Sequence, residues 1–155
     1  MVLAAGASSR YGGVKQRELL PSVLDALRRT SVSEIVVVEG AHELEAAGAR
    51  IVQCDDWEIG PGASLRCGLG ALGADIDRAV IVLADGPALD PRAVERVLGR
   101  DEPVVAATYD GTRSHPVALA RSAWSEIPDE GGRALDAVLV DCFDLRPPGD
   151  VDVRR

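Results

Sequence analysis

Short runs of β-branched and apolar residues alternate along this chain with stretches in which apolar side chains recur every three or four positions. The runs Val2–Ala5, Glu34–Glu39, Arg50–Cys54, Ala79–Ala84, Pro103–Thr108, His115–Leu119 and Val140–Leu145 predict strands. The segments Ser22–Arg29, His42–Ala47, Ala63–Leu72, Pro91–Leu98, Arg121–Glu126 and Gly132–Leu139 predict helices. The strands lack a clean apolar–polar alternation, which is the pattern of strands buried on both faces. Separated by helices, they predict an α/β fold with a largely parallel sheet. Asp90-Pro91 supplies an N-cap and a proline at the first helical position. Tyr109-Asp-Gly-Thr-Arg113 reads as a tight turn between two strands, so one antiparallel pair is expected late in the sheet. No repeat, low-complexity tract or linker interrupts the pattern, and one domain over residues 1–155 is expected.

Composition narrows the function. Aromatic residues make up only 3% of the chain, so Ala, Val, Leu and Ile must build the core. The net charge of −8 argues against nucleic acid and against an anionic membrane as partners. The charge is unevenly spread: residues 1–30 hold Arg10, Lys15, Arg17, Arg28 and Arg29 against Glu18 and Asp25, a balance of +3 that leaves −11 for the remainder. A small basic region on an acidic body suits a small polyanion with a metal ion. The longest apolar runs are far too short to span a bilayer, and the N-terminus lacks the basic and apolar regions of a signal peptide. Cys54, Cys67 and Cys142 are odd in number and have no C-x-x-C spacing. A disulfide framework or zinc site is therefore not expected, and the cytoplasm is the default location.

Candidate chemistry collects in three segments, each following a predicted strand. The first is the loop Gly6–Lys15, where Gly6, Gly12 and Gly13 with Ser8 and Ser9 let backbone N–H groups approach an anion. It closes on Lys15, the single lysine in a chain with sixteen arginines. A compact ammonium suits a place between phosphate oxygens better than a broad guanidinium fork. The second is Asp55–Ala63, and the third is Asp85–Leu89. In open α/β sheets ligands bind at the carboxyl ends of strands, near the point where strand order reverses. The first loop has neither G-K-[ST] nor G-x-G-x-x-G, which excludes a P-loop and a dinucleotide fingerprint.

Leu3-Ala4-Ala5-Gly6, Ser9-Arg10, Gly12 and Lys15-Gln16 together resemble the nucleotide signature of the MobA-like NTP transferases, the family of molybdenum-cofactor nucleotidyltransferases. Asp56-Trp57 through Gly60, Ser64-Leu65-Arg66 and Gly68-Leu69 look like the family's base-recognition segment. Asp85-Gly86-Pro87 resembles its metal-aspartate motif, His115-Pro116-Val117 and Gly131-Gly132-Arg133 its late segments, and Asp150-Val151-Asp152 the start of its closing D-x-D-T motif. The resemblance implies a three-layer, Rossmann-like nucleotidyltransferase fold of the GT-A type. It implies Mg²⁺ bound at Asp85 and Asp152, and a nucleotide held by Leu3, Ala4, Ala5, Gly6, Arg10, Lys15, Asp55, Gly60, Ser64 and Leu65. Arg10, Lys15 and Asp85 carry the catalytic expectation. Arg10 can fork across two phosphate oxygens, and Lys15 can reach the α-phosphate, where charge shifts in the transition state. Asp55 or Asp56 could accept a hydrogen bond from base or ribose. His115 could contact the acceptor or serve as an ordinary strand residue.

The implied reaction moves a nucleoside monophosphate from an NTP to a phosphorylated acceptor. CTP is favoured on Leu-Ala-Ala-Gly and Ala-Ser-Leu-Arg, and GTP is kept open by Pro61. A phosphorylated pterin is the acceptor the resemblance points to, with a molybdoenzyme maturation factor as a partner. A sugar 1-phosphate or methylerythritol phosphate is the alternative acceptor. Against the family pattern, a Gly-x-Pro-Leu segment is missing between Leu20-Pro21 and Val23-Leu24-Asp25, the first strand is two or three residues short, and no Thr-Pro-Glu-Asp follows Asp152. Those departures support a second, non-enzymatic reading, a degenerate nucleotide-binding module.

Overall fold

The computed structural model describes residues 1–151, so Asp152 lies outside the described residues. Seven strands form one mostly parallel sheet: β1 (Val2–Leu3), β2 (Val36–Glu39), β3 (Arg50–Gln53), β4 (Arg78–Leu83), β5 (Val104–Tyr109), β6 (Thr112–Ala120) and β7 (Val138–Asp141). Their spatial order is β3-β2-β1-β4-β6-β5-β7. Strand β6 runs antiparallel to both of its neighbours, β4 and β5, while the other pairs are parallel. The β5–β6 connection is the two-residue turn Asp110-Gly111, both residues at positive φ, with Tyr109 paired to Thr112. That is the primed hairpin turn expected of an Asp-Gly pair.

Three helices cover the sheet: α1 (Lys15–Arg28), α2 (Pro61–Gly70) and α3 (Pro91–Leu98). Successive β4 residues show why no alternation was visible in the sequence. Val80 and Val82 pack with Leu20, Val23 and Leu27 of α1 and with Val94 and Val97 of α3. Ala79 and Ile81 face the other way and pack with Leu65 and Leu69 of α2. Both faces are dry, and every residue from Ala79 to Val82 is buried. The start of α3 is the expected one, with the Asp90 carboxylate accepting from the Arg92 N–H at 2.9 Å.

Several expectations are corrected. Helix α1 starts at Lys15, seven residues before the predicted Ser22, and runs through Pro21. An interior proline costs a helix about 3 kcal/mol, but here the first turn has strong anchors. Leu20 is buried, and the Gln16 amide is buried too, donating to the Gly6 carbonyl at 2.8 Å and accepting from the Ser8 hydroxyl. Residues 42–47 form no helix. Their backbone bonds elsewhere: Leu44 N–H to the buried Glu39 carboxylate at 2.7 Å, and the Glu43 carbonyl to Arg17. Six residues of periodicity were too few to repay helix nucleation. The predicted helix Gly132–Leu139 is a short 3₁₀ turn, Gly132–Ala134, followed by β7, whose first residues pair with Val105 and Ala106 of β5, so the last strand is Val138–Asp141 and not the predicted Val140–Leu145. Residues 121–126 are likewise 3₁₀. The cysteine argument also fails: Cys54 after β3 and Cys67 on α2 form a disulfide, with Cα atoms 5.8 Å apart, because α2 folds back beside the end of β3. Cys142 is free and buried.

Candidate nucleotide and phosphate site

Strand order reverses between β1 and β4, and the open cleft lies at the carboxyl ends of those two strands. Its volume is about 410 Å³. The β1 loop, the start of α2 and the β4 end all reach it, so the three segments singled out in sequence converge in space.

The phosphate end is made by the β1 loop. The Ala4 N–H bonds to Val38, and the Ala5 carbonyl accepts from Ala41, which ties the loop's stem to β2. Gln16 fixes the far side through Gly6, and Tyr11, buried, donates its hydroxyl to Glu18 at 3.0 Å. Ser8 sits at positive φ and turns the chain back, with the Tyr11 N–H bonded to its carbonyl. Among the described residues, the backbone N–H groups of Gly6, Ala7, Ser8 and Ser9 meet no protein acceptor. Consecutive unpaired amides on a loop that is held at both ends form an anion cradle. Arg10 is exposed at its rim and lines the cleft.

Lys15 opens α1 and Asp85 follows β4, and their side chains meet. Nζ lies 2.9 Å from Asp85 Oδ2 and 3.2 Å from the Val151 carbonyl, with both side chains largely shielded. This ion pair sits beside the cradle, a cation for phosphate oxygens next to a hard carboxylate donor. No group of three or more His, Cys, Asp or Glu able to hold a metal occurs among the described residues. The Asp85 carboxylate is a hard oxygen donor of the kind through which Mg²⁺ binds, its shell otherwise completed by phosphate and water.

The opposite wall comes from Trp57, Gly60, Pro61 and Ser64. Gly60 has φ 147°, and a side chain there would meet the Asp129 carbonyl at 2.7 Å. The Trp57 ring packs on Gly40, where a Cβ would lie 2.6 Å from the ring. Helix α2 begins at Pro61, two residues ahead of the expected start, and its first N–H, from Gly62, is taken by the Asp129 carbonyl at 2.9 Å.

Leu3, Ala4, Ala5, Gly6, Arg10, Lys15, Gly60, Ser64 and Asp85 thus line one cleft. Asp55 and Asp56 are exposed and outside its lining, and Leu65 is buried and faces a neighbouring cavity. Sequence reasoning did not single out Tyr11, and it carried Gln16 and Trp57 only as members of matched motifs, with no role of their own. Trp57 was the findable one, being one of two tryptophans in an aromatic-poor chain.

The profile of the MobA-like NTP transferase domain matches residues 1–140. The chain belongs to that family. Among solved structures, the fold is shared with the Rv0371c homologue from Mycobacterium sp. strain JC1, at TM-score 0.80 and 23% identity, covering 98% of this chain and 88% of that one. Rv0371c from Mycobacterium tuberculosis, solved as a manganese complex, superposes at TM-score 0.70 with 22% identity, covering 90% and 86%. The bifunctional protein GlmU of Mycobacterium ulcerans is 35% identical over 114 residues, which is 61% of this chain and 23% of GlmU. The chain therefore spans about a quarter of that curated relative. No helix among the described residues is long and apolar enough to cross a membrane.

Proposed function

We propose that this protein transfers a nucleoside monophosphate from an NTP, CTP favoured over GTP, to a phosphorylated pterin of the molybdenum-cofactor type. The observation that carries the reading is the Lys15–Asp85 pair, at 2.9 Å, set beside four unpaired loop amides. Nothing in that set is a nucleophile or a strong general base. The set instead binds and neutralises phosphate, as phosphoryl-type transfers require.

An acceptor phosphate oxygen attacks the α-phosphorus, the bond from that phosphorus to the oxygen bridging to the β-phosphate breaks, and pyrophosphate leaves. The acceptor is already ionised at neutral pH, so no proton need be removed. The Gly6–Ser9 amides hold the terminal phosphates, Arg10 covers them from the rim, and Lys15 stabilises charge shifting on the α-phosphate. Asp85 orients Lys15, and the resemblance adds Asp152 as its companion ligand. Mg²⁺ held there would neutralise the triphosphate. Trp57, Pro61 and Ser64 hold the base. The use of an NTP supports a cytoplasmic location, and a molybdoenzyme maturation factor is the partner expected to receive the product.

The test is pyrophosphate release with each of the four NTPs, Mg²⁺ and a pterin phosphate or a sugar 1-phosphate. CTP with the pterin phosphate should be the fastest pair, and Asp85→Asn should abolish release. NTP binding without release from any pair would overturn the transferase reading in favour of the non-catalytic module.

A further inference from the structure

The segment after β2 gives up the helix that its periodicity predicts, and what it does instead bears on the phosphate loop. The buried Glu39 carboxylate takes the Leu44 N–H, and the residues between them are laid against the β1 loop. Two of them grip it. The Ala41 N–H donates to the Ala5 carbonyl at 3.1 Å, and His42 Nε2 donates to the Ala7 carbonyl at 2.9 Å. A carbonyl can only accept, so the ring carries a proton on Nε2 in this contact.

A peptide unit is planar and trans, so its N–H points opposite to its C=O. The peptide with the Ala5 carbonyl carries the Gly6 N–H, and the peptide with the Ala7 carbonyl carries the Ser8 N–H. Holding both carbonyls from the β2 side therefore turns the Gly6 and Ser8 amides the other way. The cleft has the matching lining: Gly6 and Ser8 belong to it, whereas Ala7, Ala41 and His42 do not. Neither amide meets a protein acceptor among the described residues. Ser8 also sits at φ 55°, a left-handed conformation that a residue with a side chain keeps only where its surroundings hold it. The Tyr11 N–H, at 3.0 Å from the Ser8 carbonyl, holds the peptide that leaves Ser8, and His42 holds the peptide that enters it. The Ala41 grip is main-chain and survives a change of side chain. The grip on Ala7 rests wholly on the His42 ring, half-buried outside the cleft.

We infer that His42 is a positioning residue of the anion cradle: without touching the ligand, it fixes the Ala7–Ser8 peptide so that the Ser8 N–H faces a phosphate oxygen. Without the ring, that peptide can turn over as Ser8 relaxes out of its left-handed conformation. A carbonyl oxygen then stands where the N–H stood, and it repels a phosphate. The loss falls on the anion and not on the base, because Trp57, Pro61 and Ser64 belong to the opposite wall. That the anion is the phosphate chain of an NTP rests on the transfer reading above; the aiming of the amide does not.

Calorimetric titration of the whole protein with inorganic tripolyphosphate and with CTP, Mg²⁺ present in both, tests this in three variants. His42→Ala and His42→Phe remove the donor, the second while keeping a ring in place, and His42→Gln keeps an N–H for the same carbonyl. The two variants without a donor should bind both ligands about fivefold more weakly, the scale of one hydrogen bond, and His42→Gln should return to within about twofold of the unaltered protein. Urea midpoints should stay together across the set. Unchanged affinity in His42→Ala and His42→Phe, or a loss in His42→Gln equal to that in His42→Phe, would overturn the positioning role. Affinity losses that track a falling urea midpoint would overturn it too, by exposing a general structural role. Failure of the unaltered protein to bind tripolyphosphate would remove the cradle and the positioning role together. The expected pattern with tripolyphosphate, in a protein that releases pyrophosphate from no NTP, would sustain the role of His42 and sink the transferase reading instead.

Discussion

The two halves of the sheet open onto neighbouring hollows by different routes. In the β3-β2-β1-β4 half all strands are parallel, so each carboxyl end naturally delivers its loop to one edge. In the β6-β5-β7 half, β6 is reversed, and it is therefore the beginning of that strand, Thr112–His115, that lies beside the end of β4. The parallel half presents backbone amides and an ion pair, which suit a phosphate chain whatever it is attached to. The reversed half presents the side chains of Arg113, Ser114 and His115 beside an apolar hollow. The two halves thus offer different chemistry through strands of different direction, and they can be perturbed separately.

The sharpest break should come in the parallel half. Lys15→Ala is expected to lower kcat/KM about 10²–10³-fold, the scale for losing one preorganised electrostatic donor. Lys15→Arg should not restore it, since a planar fork cannot occupy the place of an ammonium held between a carboxylate and a carbonyl. Steady-state kinetics check both, and full activity in the arginine variant would remove Lys15 from the mechanism.

The seam between the halves should respond next, in stability. A Cβ at Gly62 would fall 1.8 Å from the Pro128 carbonyl oxygen, and Arg66 clamps the same segment through Ile127 and Asp129. Gly62→Ala should cost about 3 kcal/mol, as backbone overpacking does, read as a lowered denaturant midpoint. Gly13→Ala, with nothing within 4 Å of the added carbon, should change stability by less than about 0.5 kcal/mol.

The reversed half should be the acid-sensitive one. Burial holds the His115 imidazole at about 4, below the ordinary histidine value near 6.5 that it has in the unfolded chain. The unfolded chain therefore binds a proton in that interval that the folded chain refuses, and stability falls as pH drops from 6.5 to 4. The slope is at most about 1.4 kcal/mol per pH unit. Asp144 and Glu102, held at about 2 by Arg96 and Arg100, lose their contributions only below the ordinary carboxylate range. Urea denaturation at stepped pH should show the upper window vanish in His115→Gln while the lower one persists.

The smallest expected effect is base choice: CTP should bind about fivefold more tightly than GTP, close to 1 kcal/mol, by calorimetry with Mg²⁺ present. A clear GTP preference would leave the phosphate half intact and revise only the wall formed by Trp57, Pro61 and Ser64.

Much of this was legible in the residues. Six strands were readable nearly in place because β-branched runs have few other uses, the seventh was placed two to four residues too late, and the Asp110-Gly111 turn declared its own hairpin. The phosphate loop was visible because glycine, serine and an isolated lysine after a strand report a backbone requirement, and such requirements are local. What was not local was not legible. The Lys15–Asp85 contact joins residues that only the β1–β4 pairing brings together. The helix through Pro21 and the non-helix at 42–47 were decided by the buried Gln16 and Glu39, whose partners lie in other elements. The Cys54–Cys67 bridge depends on where α2 crosses β3. The apolar hollow beside the cleft exists because β6 inserts between β4 and β5, a choice of neighbour that no single segment encodes. Pattern and backbone demand are written residue by residue, whereas adjacency is a free-energy minimum of the whole chain, and the sequence by itself determined the first while the tertiary structure decided the second.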